Sequence, residues 1–297
     1  MKHLDVKALL LVGLFFVTTP GSASDVEEVV VVGANIAQGY SQPEYDGSVI
    51  EALDPTRVFQ PGGVGGFVGA TTHGTDVKHT AVYRNGIPVN DPGSGWYDFG
   101  TENPTFQTFK TISGPNSTLY GSSSMAGTIL MEDTFDGNNF FTKGGDGLFF
   151  VQGGTDWFHI SRYKGSNGSV KTDNNEEDWF ENVTLKTKTE LGNWKIINVL
   201  QDYKYDYDSC YDSSWSKIDT CTQEGTKTDI SVRNDWLTAG YSMNDVTHNT
   251  GWSAKSERYF VDANKEVLPG LILGAQNNQE KYNDKWDNRT GVYANYN

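Results

Sequence analysis

The chain reads as mainly β: an export leader, a globular segment of short strands and tight turns, and then antiparallel strands of a membrane barrel. Three observations predict this. Residues 8–17 form an apolar run of ten behind Lys2, His3 and Lys7. Asn-Gly, Gly-Pro and Gly-Gly steps punctuate residues 49–134. From about residue 140 apolar and polar side chains alternate with the period of two that a half-buried strand needs.

The leader comes first. Its apolar run is about half the ~20 residues of a spanning helix, and Thr18, Thr19, Pro20 and Gly21 break it ahead of Ser22-Ala23-Ser24. Small residues at Ser22 and Ser24 suit a peptidase that cuts before Asp25, so residues 1–24 are read as a cleavable signal peptide. No second long apolar stretch follows that would make a helical membrane span.

Composition narrows the rest. With 23 Lys and Arg against 38 Asp and Glu, a formal net charge of −15 argues against a nucleic-acid partner, which needs clustered cations. Cys210 and Cys221 sit in a Tyr-, Asp- and Ser-rich stretch and in an exported chain predict a disulfide. Such a bond would pin a long loop, worth ~3 kcal/mol by loop-closure entropy. Asp206, Asp208, Asp212 and Asp219 in the same stretch are either solvated loop carboxylates or hard-oxygen ligands for calcium.

Catalytic patterns are missing. His3, His73, His79, His159 and His248 are scattered, and the spacing of His73 and His79 alone is weak evidence for a metal pair. No Gly-X-Ser-X-Gly elbow accompanies a strand-to-helix pattern. Gly62, Gly63, Gly65, Gly66 and Gly69 lack the Lys-Ser/Thr of a phosphate cradle and read as a close-packed turn. The expectation is a protein that is not an enzyme and holds no cofactor.

Val29, Val30, Val31 and Val32 favour extended chain. Two readings stay open from the residues themselves: the first strand of the following domain, or a strand that pairs with another protein by main-chain hydrogen bonds. Further on, Ala81 to Arg84, then Asn85-Gly86, then Ile87-Pro88-Val89 have the form of a two-residue hairpin with positive φ at the turn. Pro88 cannot donate to a ladder and favours an edge.

Three segments together resemble the plug domain of TonB-dependent outer-membrane transporters. They are Asn85-Gly86-Ile87-Pro88-Val89-Asn90, then Gly114-Pro115-Asn116-Ser117-Thr118-Leu119-Tyr120-Gly121, then Ala126-Gly127-Thr128-Ile129. The family carries Asp-Gly-Val/Ile-Pro-Val-Asn, Arg-Gly-Pro-Ser-Ser-X-X-Tyr-Gly and Gly-Gly-X-Ile in that order and at similar spacing. Two departures stand out: His73-Gly74 where the family usually has Arg-Gly, and Ser113 where Arg precedes Gly-Pro. Each removes a cation that would pair with barrel carboxylates.

The resemblance implies a globular α+β plug domain with a small mixed sheet, followed by the first strands of a large transmembrane antiparallel β-barrel. It implies that Glu27, Glu28, Val29, Val30, Val31 and Val32 form a TonB box, with TonB and its inner-membrane energising complex as partners. It also places the segment from Asp91 to Phe99 at the plug's outward apex, with Asp91, Ser94, Trp96, Tyr97 and Asp98 as solute contacts. Pro and Gly shape that loop, Trp96 and Tyr97 offer amphipathic area, and the carboxylates accept hydrogen bonds. The alternative, that Trp96 and Phe99 only pack the loop, stays open.

In the barrel region Val183, Leu185 and Leu191 share one strand face, and Asn182, Thr184, Lys186, Lys188 and Glu190 the other, an apolar-out, polar-in pattern. After Gly192-Asn193, residues 194–206 return with Ile197, Val199, Tyr203 and Tyr205 on one side, ending in Tyr as an interfacial girdle does. Further strands are expected at 148–153, 157–164, 229–236, 256–262, 268–276 and 291–296, about eight in all, joined by short turns at one end and long polar loops at the other. A soluble β-sandwich would not gather Tyr and Trp near strand ends.

The expected organisation is a signal peptide over 1–24, TonB-box segment and linker over 25–45, plug over 46–135, and the N-terminal part of a barrel over 136–297. Eight strands enclose a lumen that side chains nearly fill, and plugged transporters use about 22, so the chain is expected to be a truncated, N-terminal fragment. The expected activity is TonB-dependent uptake of a scarce solute, a ferric siderophore, cobalamin or similar, across the bacterial outer membrane, whose lipid the barrel would contact. A passive pore or adhesin is the competing reading.

Overall fold

The computed structural model describes residues 29–32, 56–59, 67–102, 107–135, 137–145, 148–166, 179–212 and 214–296. The expected signal peptide, Glu27 and Glu28, the linker and the glycines from Gly62 to Gly66 lie outside the described residues.

The N-terminal domain is a small mixed sheet. Its strands are β1 (Val29–Val32), β4 (Thr80–Arg84), β5 (Ile87–Pro88), β6 (Gln107–Ser113) and β7 (Gly127–Asp133), in spatial order β1-β6-β7-β4-β5. β4 and β7 run parallel and the other pairs antiparallel. A separate two-stranded sheet joins β2 (Thr56–Phe59) to β3 (Gly69–Thr72). Helical structure among the described residues is one α-turn, Ser117–Tyr120, and two 3-10 turns, Val77–His79 and Phe99–Thr101. All five residues of β4 are buried, as a central strand covered on both faces requires.

Each of the three resembling segments has a mechanical task. Asn85 (φ 50°) and Gly86 (φ 85°) make the two-residue turn, with Arg84 opposite Ile87 and Tyr83 opposite Pro88. Pro88 lies in edge strand β5, where a missing donor breaks no ladder. Asn116 closes the α-turn through its carbonyl, which accepts the Tyr120 N–H at 2.9 Å, and Tyr120 then meets Tyr83 edge-to-face at 5.1 Å. At Gly127 a Cβ would lie 2.7 Å from Thr72 Cγ2 and 3.1 Å from the Ile112 carbonyl, so only glycine lets β7 enter the sheet there.

The second part is one antiparallel meander of ten strands: β8 (Asn139–Gly145), β9 (Leu148–Gly154), β10 (Phe158–Ser166), β11 (Trp179–Leu191), β12 (Trp194–Tyr211), β13 (Lys217–Arg233), β14 (Leu237–His248), β15 (Ser253–Leu268), β16 (Leu271–Tyr282) and β17 (Lys285–Tyr296). β8 and β17 form its edges. Ten strands replace the expected eight. The stretch 229–236, read as one strand, instead turns at residues 234–236, where Asn234 Oδ1 accepts the N–H groups of Trp236 and Leu237. β8 escaped because Phe140-Phe141 and Gly144-Gly145 break the alternation.

Register fixes the faces. Ile160, Leu185 and Leu200 are cross-strand neighbours on the outer side of β10, β11 and β12, and the exposure of Ile160 and Leu200 marks that side as the apolar one. Asn182, Thr184 and Lys186 point inward and are buried, as the alternation predicts. Ile197, Val199, Tyr203 and Tyr205 do not form an outer girdle: all four are buried inside. Ile196 and Ile197 are adjacent, so this strand is apolar on both faces, and an inward apolar row is stable because Phe135 of the N-terminal domain packs on Ile197 and Val199. Trp157, Trp194 and Trp236 instead gather at the short turns, with Trp194 and Trp236 6.4 Å apart. No helix among the described residues is long and apolar enough to cross a membrane, a statement silent on crossing by strands.

The other end of the sheet is extended by strands more than by loops. β12 and β13 continue to Tyr211 and Lys217, so the stretch expected as a long loop is a tall hairpin. Cys210 and Cys221 are joined across it, Cα atoms 5.9 Å apart. Asp212 Oδ1 closes the tip by accepting Ser214 N–H, Ser214 Oγ–H and Ser216 N–H, and Asp206 Oδ1 accepts the Trp179 N–H. Among the described residues no group of three or more His, Cys, Asp or Glu is placed to hold a metal.

The hairpin tip of the N-terminal domain seats on β14. A Cβ at Gly240 would lie 2.4 Å from Ile87 Cγ2 and 2.6 Å from the Ile230 carbonyl. Gly240→Val is therefore expected to lift the hairpin, an overpacking of ~1–3 kcal/mol. Trypsin should then cut the folded full-length protein after Arg84, a bond protected in the parent.

Candidate functional site

The apex loop is built from Asn90 outward. Asn90 Oδ1 accepts the Val82 N–H at 2.7 Å, while its Nδ2 donates to the carbonyls of Thr80 and Gly95 at 3.1 and 3.0 Å. One side chain thus ties β4 to the loop. Asp91 Oδ1 accepts Gly93 N–H, Ser94 N–H and Ser94 Oγ–H, and its backbone N–H donates to the Trp96 carbonyl at 2.6 Å. Asp98 Oδ1 accepts the N–H groups of Val68 and Gly100. The loop is held by its own short polar side chains and by glycine: a Cβ on Gly93 would run into the Tyr282 ring, its nearest atom 2.2 Å away.

Because Gly86 faces Thr238, beside a short turn, while Gly93 faces Tyr282 at the opposite end of the sheet, the loop points toward the tall hairpins. There it roofs a cavity of ≈ 760 Å³ between the N-terminal domain and the inner face of the large sheet. Asp91, Ser94, Trp96, Tyr97 and Asp98 all line it. Trp96 is half-exposed and leans on Phe67 at 5.2 Å, a geometry open to contact. Tyr97 differs: it is buried and its hydroxyl donates to Glu102 Oε1 at 2.5 Å. Sequence reasoning missed the opposite wall, where Tyr203, Tyr205, Trp252 and Tyr282 face the loop. Their inward direction depends on register.

Beneath the cavity lies a buried charge cluster. Arg84 Nε and Nη2 donate to Asp133 at 2.9 and 3.1 Å, and Nη1 to Glu102 at 3.1 Å, with Asp229 of β13 3.6 Å away. From the large sheet, Lys186 Nζ reaches Asp133 at 2.6 Å. Lys227 Nζ donates to Thr101 Oγ1 at 2.5 Å, lies 3.8 Å from Glu102 and sits 4.8 Å over the Tyr97 ring. Arg233 forks onto Glu132 at 2.6 and 2.5 Å. Burial by itself raises the Asp133 carboxyl, but Arg84 and then Lys186 outweigh it and hold it well below the usual range. Arg84 and Lys227 likewise overcome burial at Glu102 and lower it. At Asp98 burial wins over Lys227 and the two backbone donors, and the carboxyl is raised.

The two missing arginines therefore do not leave the domain unlatched. His73 Nε2 and Ser113 Oγ, the two replacements, are hydrogen-bonded to each other at 2.7 Å. Most ion pairs run with the opposite polarity, carboxylates from the N-terminal domain meeting Lys186, Lys227 and Arg233 of the large sheet, while Arg84 facing Asp229 keeps the expected one. At the other extreme of the domain, Val29–Val32 is the edge strand β1, antiparallel to β6 with Val30 opposite Lys110.

Residues 45–128 match the TonB-dependent receptor plug domain family. This part of the chain is a TonB-dependent receptor plug domain. Solved structures similar to the whole include the siderophore receptor PirA from Acinetobacter baumannii, with 12% identity and TM-score 0.56 over 87% of this chain and 48% of that one. Another is the copper transporter OprC, with 14% identity and TM-score 0.53 over 89% and 49%. PirA from Pseudomonas aeruginosa shows 14% identity and TM-score 0.56 over 90% and 52%. At such identities the likeness concerns the fold, and the chain spans about half the length of these structures. No curated protein matches it in sequence. A plug domain and a barrel-like sheet are thus the two parts described above.

Breaking the latch should separate its pairs by burial. Lys186→Met takes one of two cations from the fully buried Asp133, leaving Arg84, and is expected to destabilise plug seating by ~1–3 kcal/mol. Arg233→Ala removes a partly exposed pair and should cost about 1 kcal/mol or less; denaturant midpoints of the full-length protein compare the two. Because Asp133 and Glu102 titrate lower folded than unfolded, their contribution is complete above the unfolded values, about 4, and lost as pH falls through the folded ones. Plug protease resistance should therefore be flat in these groups from pH 5 to 8 and decline only in stronger acid.

Proposed function

We propose that this chain serves TonB-dependent active uptake of a scarce solute across the bacterial outer membrane, a metal chelate of the siderophore type or a cobalamin-like compound. It acts as a transporter and not as an enzyme. The observation that carries this reading is the cavity between the plug's apex loop and the barrel wall, lying toward the tall hairpins and floored by a plug held with ion pairs. A solute enters from the hairpin side, its contacts including Asp91, Ser94, Trp96 and Asp98, with Tyr97 acting behind them through Glu102. The similarity of fold to siderophore receptors supports the substrate class.

Energy enters at the other end of the plug. As the sheet's edge strand, β1 presents main-chain groups on its outer side to which a strand of TonB can add, and Glu27 and Glu28 belong to the same recognition segment. A pull on β1 acts on β6, and through β6 on β7, which carries the latch carboxylates Glu132 and Asp133.

Val30→Pro removes a donor and fixes φ. In the full-length protein it is expected to abolish energised uptake while equilibrium binding of solute at the cell surface is kept; unchanged uptake would remove the TonB-box assignment. Trp96→Ala should weaken solute binding by ~1–2 kcal/mol, as for an aromatic contact at a binding site, with plug protease resistance unaltered. Equal affinity in that variant would place the contacts elsewhere.

A further inference from the structure

The charge of the cavity wall narrows the solute. Three carboxylates, Asp91, Asp98 and Asp229, face the cavity against two cations, Lys227 and Arg258. Both cations are already engaged. Lys227 serves Thr101, the Asp98 carbonyl and Glu102, while Arg258 donates from Nε and Nη2 to Glu280 Oε1 at 3.0 and 2.8 Å. Among the described lining residues each cation thus already faces a carboxylate, so an incoming anion has to compete with a buried pair.

Asp91 stands differently. The three hydrogen bonds by which its carboxylate closes the loop all end on Oδ1, so one oxygen anchors the charge beside the cavity that Asp91 lines. Tyr282, pressed on Gly93 of the same loop, and Trp96 line the same cavity, and aromatic faces attract cations and pack on apolar ring surface. We propose that this cavity selects an uncharged or cationic solute over an anionic one, with the aromatic walls holding its body and Asp91 reading its charge. This selectivity rests on the uptake reading above.

The test uses the full-length protein in detergent and follows quenching of tryptophan fluorescence by three ferric chelates: an uncharged trihydroxamate, a trihydroxamate with a free ammonium group, and a trianionic tris-catecholate. The uncharged and cationic chelates are expected to bind at least tenfold more tightly than the trianion. Asp91→Asn keeps the Oδ1 acceptor that closes the loop and removes the charge. It should lower the ratio of cationic to trianionic affinity at least threefold, a ratio that a general loss of binding does not move.

If the tris-catecholate binds as tightly as the others, and its affinity falls in Trp96→Ala, the charge selectivity is overturned and the site stands. A ratio unchanged in Asp91→Asn overturns the role of Asp91. Failure of all three chelates to bind, or binding indifferent to Trp96→Ala, overturns this inference together with the site on which it rests.

Discussion

Asp133 is the residue on which the arrangement turns. It ends β7 without exposure to water, yet stays ionised because Arg84 and Lys186 approach from two sides. Asn85 adds two further bonds, donating from Nδ2 to Oδ2 at 2.7 Å and accepting the Asp133 N–H at 2.9 Å, and Gln107 donates at 3.2 Å. A buried carboxylate is tolerated only when paired and hydrogen-bonded. Here the satisfying groups come from the hairpin turn, from β6 and from the barrel wall, so the single charge fixes three elements relative to one another.

That constraint explains the plug's shape around it. Arg84 is the last residue of β4 and Asn85 the first of the turn, so the two-residue hairpin delivers a guanidinium and an amide to the same carboxylate. A longer turn would move both away. Glu102 is held by the far side of Arg84 and by Tyr97, whose ring also receives Lys227. The cavity and the latch consequently share residues: the floor of one is the upper edge of the other. Charges in such a cluster are geometrically exacting, since each bond weakens steeply with distance and angle.

The wall contributes more than containment. Its outer face is an apolar surface that has no partner in the plug, while its inner face supplies cations at the latch and aromatic rings at the cavity. The switch occurs along each strand: on β13 Lys227 and Asp229 face inward beside the latch, and further toward the tall hairpin Gln223 lines the cavity. Glycine permits the closest approaches, at Gly240 for the hairpin and at Gly93 beneath Tyr282.

The sequence by itself determined the mainly β class, the hairpin at Asn85-Gly86 and the alternation of β11, because turns and period-two patterning are local properties, while the place of the apex loop came from the resemblance to the plug family. Trp96 and Asp91, singled out in that loop, line the cavity. Only the tertiary structure decided the number of strands and which apolar row of β12 faces inward, because that strand is apolar on both faces and Phe135 covers one of them. It alone decided that Tyr97 turns into the latch, that Tyr203, Tyr205, Trp252 and Tyr282 complete the cavity, and that Lys186, Lys227 and Arg233 replace the absent plug arginines. Those pairings join residues from about 50 to 130 positions apart, and burial next to a distant opposite charge leaves no periodic trace in a sequence.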